Sequence, residues 1–380
     1  MIRVIIISLY CLIMISGLYA QSVQTGRIGL LVGSYTGPAD STGISWYEFD
    51  TTSGNLTLQS KIYGIENASY LLISKDSKKV YAASEKNKGI GSIYAFGVDK
   101  VSHHLSFINN VSSGGDGPCY VESDKKGKYV FAANYGSGTL SAVKVNSSDG
   151  SLNPEIQILT QPGGSINKQN QGKPHAHSVV VSPDNHFVLA ANLGNDKIYS
   201  YRIDTTAQTI LAPCTPAFLK VHPGSGPRHI TFHPNGKTVY VVNELDGSVD
   251  VFGYRKARLT FVQRVSLIPA GYKGVIEAAD IHISPDAKFL YASNREQMND
   301  LSIFRIQSSG KLSLVGHQSV LGKAPRNFAI DPTGKFLLVA NMNSDEIVVF
   351  SRDILNGNLK DTHLRMAVNK PACIKFFPAN

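Results

Sequence analysis

An eleven-residue phrase recurring six times, an alternating apolar strand after each copy and an unpaired strand-like segment near the C terminus together predict an all-β fold. The specific architecture is a seven-bladed β-propeller with four antiparallel strands per blade. The copies are SKDSKKVYAAS from Ser74, DKKGKYVFAAN from Asp124, SPDNHFVLAAN from Ser182, HPNGKTVYVVN from His233, SPDAKFLYASN from Ser284 and DPTGKFLLVAN from Asp331, spaced 47 to 58 residues apart. Such a period suits a propeller blade, whereas a sandwich would not repeat and a solenoid would use shorter units.

Each copy is a tight turn between two strands, with Pro, Asp, Asn and Gly supplying turn geometry and a β-branched or aromatic run following. Segments such as KIYSYRID, SVDVFGY, LSIFRI and EIVVFSRD then read as a third strand. A Gly-Asn, Gly-Lys or Gly-Ser turn before Leu leads into a weaker outer strand. Six blades fill residues 67–370, leaving an orphan at each end. Residues 371–378 read as an innermost strand, and residues 27–35, 43–50 and 55–63 as the three strands that lack one. The C-terminal strand is therefore expected to join the N-terminal blade and close the ring, which removes two exposed sheet edges.

Of the 380 residues, 42% are hydrophobic and 17% charged, which excludes a mainly disordered chain. The first 20 residues have the pattern of a secretory signal: Arg3, an apolar stretch over residues 4–15, and Ser16-Gly17-Leu18-Tyr19-Ala20 before a mature start near Gln21. The apolar stretch is shorter than the roughly 20 residues a spanning helix needs, so cleavage and export, periplasmic or extracellular, are expected, with residues 21–380 as one domain. No other segment has the length and apolarity of a membrane span. Cys11 would leave with the signal, and Cys119, Cys214 and Cys373 are spaced too widely for a zinc knuckle or a small disulfide scaffold, so buried free thiols are expected. The net charge of +9 is scattered, favouring anionic ligands only weakly and giving no nucleic-acid surface.

Repetition also supplies an internal comparison, since scaffold residues should recur between blades and chemical ones should not. The residue opening each inner strand is Ser69, Cys119, His177, Arg228, Ala279, Arg326 and Ala372 in turn. At the end of the second strand, Asn134, Asn192, Asn243, Asn294 and Asn341 recur, which marks them as scaffold, bonding turn backbone. The position after them varies: Glu85, Tyr135, Leu193, Glu244, Arg295 and Met342. His177, Arg228, Glu244 and Arg295 thus collect from three consecutive blades at one end of the channel. A guanidinium can hold an anion or an oxyanion, and a neutral His or Glu can move a proton. Charges pairing across a wet channel would give the same pattern.

Pro174-His175-Ala176-His177, Gly226-Pro227-Arg228-His229, Val242-Asn243-Glu244, Ala278-Ala279-Asp280-Ile281-His282-Ile283-Ser284 and Ser293-Asn294-Arg295 resemble motifs of the propeller lactonases. That is the family of bacterial 6-phosphogluconolactonase and fungal carboxymuconate cyclase, and the likeness runs from Val32-Gly33-Ser34-Tyr35-Thr36-Gly37 to the closing strand. The resemblance implies lactone opening or formation without metal or organic cofactor, with His177, Arg228, Glu244 and Arg295 as the catalytic set. Arg228, Arg295, Arg326 and His175 are expected at the substrate, an anionic small-molecule lactone. His175 and His177 are not expected to share a metal ion, because alternate strand residues face opposite ways. Asp280 is expected to buttress a neighbour, and Trp46, Tyr47, Tyr94 and Tyr201 to pack between blades. The glycines at 114–117 and 163–164 lack the strand-to-helix setting of a phosphate loop. A muconate-type cycloisomerase and a non-catalytic binding propeller are the alternatives. The export signal sits awkwardly with a cytosolic sugar phosphate as substrate.

Overall fold

The computed structural model describes residues 26–378, apart from 38–39, 87–88 and 205–208. Residues 1–20, with the expected signal and Cys11, lie outside the described residues. The described chain forms seven four-stranded antiparallel sheets, and each begins with a short, buried strand. Six sheets are contiguous in sequence, opening with Ala68–Ile73, Pro118–Ser123, Ala176–Val181, Pro227–Phe232, Ala278–Ile283 and Pro325–Ile330. The remaining sheet combines Pro371–Phe376 with Arg27–Ser34, Ile44–Asp50 and Leu56–Ile62, closing the ring as predicted. Its seam pairs Leu30 with Phe376 and Val32 with Ile374.

Second and third strands alternate aliphatic and aromatic residues because both faces of each blade are covered by neighbours, and these side chains form the apolar core between blades. Trp46 stacks on Phe377 at 4.7 Å, so the aromatic residues of the first blade lock the C-terminal strand. A polar latch repeats beside this packing. The Tyr81, Tyr240 and Tyr291 hydroxyls donate to the carbonyls of Gly150, Gly310 and Gly357, each in the outer hairpin of the following blade. These glycines adopt φ of 81°, 81° and 82°, a left-handed conformation that explains Gly before the outer strand.

Three of the recurring asparagines depart from expectation in their partners. Asn134 donates to Ser141 and to the carbonyl of Ser113, Asn243 to Ser248 and Asp250, and Asn294 to Asp300. These three tie the second strand to the third and, for Asn134, to the outer strand of the preceding blade, whereas Asn192 accepts from the His175 backbone amide and Asn341 donates to the Val320 carbonyl, as expected of residues that bond loop backbone. Cys119 and Cys373 are buried free thiols, and Cys214 is a half-buried one. Two short 3-10 turns, Leu193–Asn195 and Met342–Ser344, are the helical elements among the described residues, where no helix is long and apolar enough to cross a membrane.

Candidate active site

The inner strands carry a feature that periodicity alone hides. In all seven sheets the pairing register shifts at the second residue of the inner strand, skipping Ser69, Cys119, His177, Arg228, Ala279 (with Asp280 after it), Arg326 and Ala372. A bulge of this kind re-aims a side chain that strict alternation would turn into the sheet. Residues 228 and 229 can therefore both serve the channel.

Arg228 is held by its neighbours. Gly226 precedes it with φ 66°, and the amides of Gly224 and Gly226 donate to the Asp196 carboxylate at 2.6 and 2.7 Å. Pro227 then fixes the entry into the strand. The Arg228 side chain is only 1% exposed; its Nε donates to Glu244 Oε2 at 2.7 Å, and its Nη1 to the Ala279 carbonyl at 2.7 Å and to His229 Nε2 at 3.1 Å. The two Nη2 hydrogens take no partner from the described residues. Burial, reinforced by Arg295, lowers this guanidinium to about 10, so it remains a cation at neutral pH.

Glu244 Oε2 also meets Arg295 Nη2 at 3.1 Å, and Arg295 Nε lies 3.4 Å from Glu277 Oε2. That Nε is buried without a well-formed hydrogen bond. His177 sits beside this cluster, edge-on to Tyr135 and His229 at ring separations of 5.4 and 5.3 Å. Burial, and then the charge of Arg228, hold its imidazole well below the usual 6.5. Its Nδ1 is 3.8 Å from the Cys119 sulfur, and its Nε2 bonds to none of the described residues. Cys119 is buried, and burial drives its thiol far up, away from the thiolate form.

The expected set of His177, Arg228, Glu244 and Arg295 is thus brought together. Arg326 joins them from the far wall, where it lies 5.2 Å over the Tyr35 ring and 3.7 Å from Glu85 Oε1. Tyr35 donates to Glu85 Oε2 at 2.8 Å. His175 donates through Nδ1 to the Tyr135 carbonyl at 2.9 Å and stacks on that ring at 4.3 Å. The two histidines of the motif therefore rest on one tyrosine, since His175 precedes the strand and the bulge breaks alternation at His177. Among the described residues no cluster of three His, Cys, Asp or Glu is placed to hold a metal ion.

Sequence reasoning placed Glu85 and Tyr135 at the variable channel position without a role, and missed Tyr35, His229 and Glu277. Tyr35 occupies the first-blade equivalent of the variable position held by Glu85, Tyr135 and Glu244, so completing that ring would have found it. Glu277 comes from the irregular loop before Ala278, where no repeat gives a signal. Asp280 buttresses as expected, accepting from His229 Nδ1 at 2.7 Å and His282 Nε2 at 2.8 Å.

The chain is similar to known proteins over most of its length. The family model for the seven-bladed β-propeller lactonases matches residues 29–376. A 6-phosphogluconolactonase of Formosa agariphila is 38% identical, with the match covering 92% of this chain and 99% of the relative. One from Bacillus subtilis is 34% identical over 91% of this chain and 97% of its own. The solved structure of a periplasmic gluconolactonase from Pseudomonas aeruginosa superposes with a TM-score of 0.88 at 35% identity, covering 93% of this chain and 99% of that one. The chain belongs to the seven-bladed β-propeller lactonase family.

Proposed function

We propose that the chain hydrolyses a sugar-derived lactone at the channel mouth framed by His177, Arg228, Glu244, Arg295 and Arg326. The observation that carries this reading is a buried imidazole, its Nε2 unbonded among the described residues, set beside guanidinium groups whose donors are only partly used; burial favours its neutral form. His177 takes a proton from water as its oxygen bonds to the lactone carbonyl carbon. Arg228 Nη2 and Arg295 face the developing oxyanion. The ring C–O bond then breaks, the leaving oxygen recovers a proton from the imidazolium, and a hydroxy acid is released. Glu244 acts by holding both arginines, because its Oε2 is already shared between them. Arg326 and His175 line the part of the mouth that takes the substrate's anionic or hydroxylated end.

No step requires a metal or organic cofactor. Residues 1–20 read as an export signal, and the structural relative from Pseudomonas aeruginosa is a periplasmic gluconolactonase, which supports a periplasmic or extracellular site of action on an unphosphorylated aldonolactone. The N-terminal residue of the exported protein, expected to be Gln21, tests that assignment.

The decisive experiment is a panel of plain and phosphorylated aldonolactones assayed by acid release with wild type and His177→Ala. The variant is expected to lose about 10²- to 10⁴-fold in kcat. Undiminished turnover would remove His177 from the chemistry, and silence of the wild type across the panel would favour a binding propeller. The same panel run in reverse with a muconate reads out the cycloisomerase alternative.

A further inference from the structure

Below the ring of His177 and Arg228, a second layer of channel side chains forms a continuous chain of polar contacts. His282 Nε2 meets Asp280 Oδ2 at 2.8 Å, Asp280 Oδ1 meets His229 Nδ1 at 2.7 Å, and His229 Nε2 meets Arg228 Nη1 at 3.1 Å. Asp280 is pinned from two further sides by the Asn327 amide and the Phe328 backbone amide. His229, Asp280 and His282 also line a cavity of about 240 Å³ on the side of the layer away from the ring of arginines.

Only one protonation state satisfies this chain. A guanidinium has donors and no acceptor, so His229 Nε2 must present its lone pair to Arg228. Asp280 accepts, so the single imidazole proton must sit on Nδ1. Both neighbours therefore demand the same neutral tautomer. Consistently, burial and then the Arg228 charge lower His229 to about 3 against the pull of Asp280.

We propose that His229, with its tautomer set by Asp280, is a positioning residue that turns the Arg228 guanidinium so that its Nη2 donors face the lactone. The proposal rests on the lactonase reading of the channel mouth. Arg228 Nη1 is engaged twice, by His229 and by the Ala279 carbonyl, which leaves the guanidinium plane little freedom to rotate. Without the His229 acceptor, a buried N–H would lose its partner and the guanidinium could swing toward Glu244 alone.

Two substitutions separate the halves of the device. His229→Gln places an amide oxygen near the position of Nε2 and retains an acceptor for Arg228. His229→Asn reaches Asp280 and cannot reach Arg228. The expected result is a fall in kcat/KM of about 10- to 100-fold for His229→Asn, with His229→Gln recovering most of it, corresponding to roughly 1–3 kcal/mol for one buried donor left unpaired. In an Arg228→Lys background the His229→Asn effect should shrink to about 2-fold, because a residue acting through Arg228 loses its effect once that group is gone. Additive losses, or a Gln variant no better than Asn, would overturn the proposal. In wild-type protein, side-chain ¹⁵N NMR of histidine should report His229 protonated on Nδ1 and bare on Nε2; the opposite tautomer would equally overturn it, whether or not the variants fold. A wild type inactive on every lactone would instead count against the function itself.

Discussion

Arg326 is the channel guanidinium with the fewest partners among the described residues at the proposed site. It makes no hydrogen bond to the described residues, although a guanidinium carries five donors and this one is mostly buried between Tyr35 and Glu85. None of its nitrogens is sealed from the channel, so these donors stay open to an incoming ligand. Arg326→Ala is therefore expected to raise KM for a carboxylated or phosphorylated lactone by about 10-fold or more with little change in kcat, and to affect a neutral lactone less. Equal effects on both would reassign Arg326 to structure. His177 makes a second prediction at this scale. Because burial depresses its pKa, the free base persists well below pH 6.5, and the acid limb of the kcat/KM profile should fall below that value. A limb at or above 6.5 would mean that another group is the base.

The strand with its bulge is the element that makes the site. Position 177 or 228 could be nominated from sequence because blades disagree there, yet alternation implied that only every second inner-strand residue faces the channel. The skipped register admits the next residue as well, which is why His229 was overlooked and why His175 and His177 share Tyr135. Bulges are set by how a strand meets its partner, a non-local property that spacing does not report. The loop before Arg228 belongs to the same element. Gly226 adopts φ 66°, and a Cβ there would lie 2.7 Å from Leu245 Cγ, so Gly226→Ala should cost about 1–3 kcal/mol and lower activity by displacing Arg228. Equilibrium unfolding with parallel kinetics measures both. The latch at Tyr291 carries two bonds: Tyr291→Phe removes a hydroxyl that donates to Gly357 at 2.7 Å and accepts from the buried Arg352 Nε at 2.9 Å, and should cost about 2–4 kcal/mol without altering kcat.

Across the molecule, the buried channel polar groups make stability sensitive to acid. An unfolded imidazole takes a proton near 6.5, whereas folded His229 resists down to about 3, so between these values the unfolded chain binds more protons and stability falls as pH falls. Asp280 acts in the same direction. Burial pushes its carboxyl up, but His282 and His229 outweigh this and hold it well below 3.8, adding stability that disappears at lower pH still. The Tm should decline steadily from pH 6.5 toward 3, as followed by calorimetry, and a flat Tm over that window would contradict the buried neutral His229. Closure is the other property of the whole ring. Deleting residues 371–380 removes the strand paired to Arg27–Ser34 and should abolish the cooperative transition.

Repetition made the fold legible: turn chemistry and apolar alternation are local, they recur in every blade, and counting them yields both seven blades and the closing strand. The same comparison exposed His177, Arg228, Glu244, Arg295 and Arg326, because departures from a repeat can be seen without coordinates. Which of these groups is free and which is spent could be decided only in three dimensions. Glu244 is shared by two arginines, Arg326 has an ion pair and a ring contact but no hydrogen bond among the described residues, and His229 lies between its neighbour Arg228 and Asp280, 51 positions away. Pairing of that kind depends on distances across a channel that seven distant segments build together, and no single segment contains them.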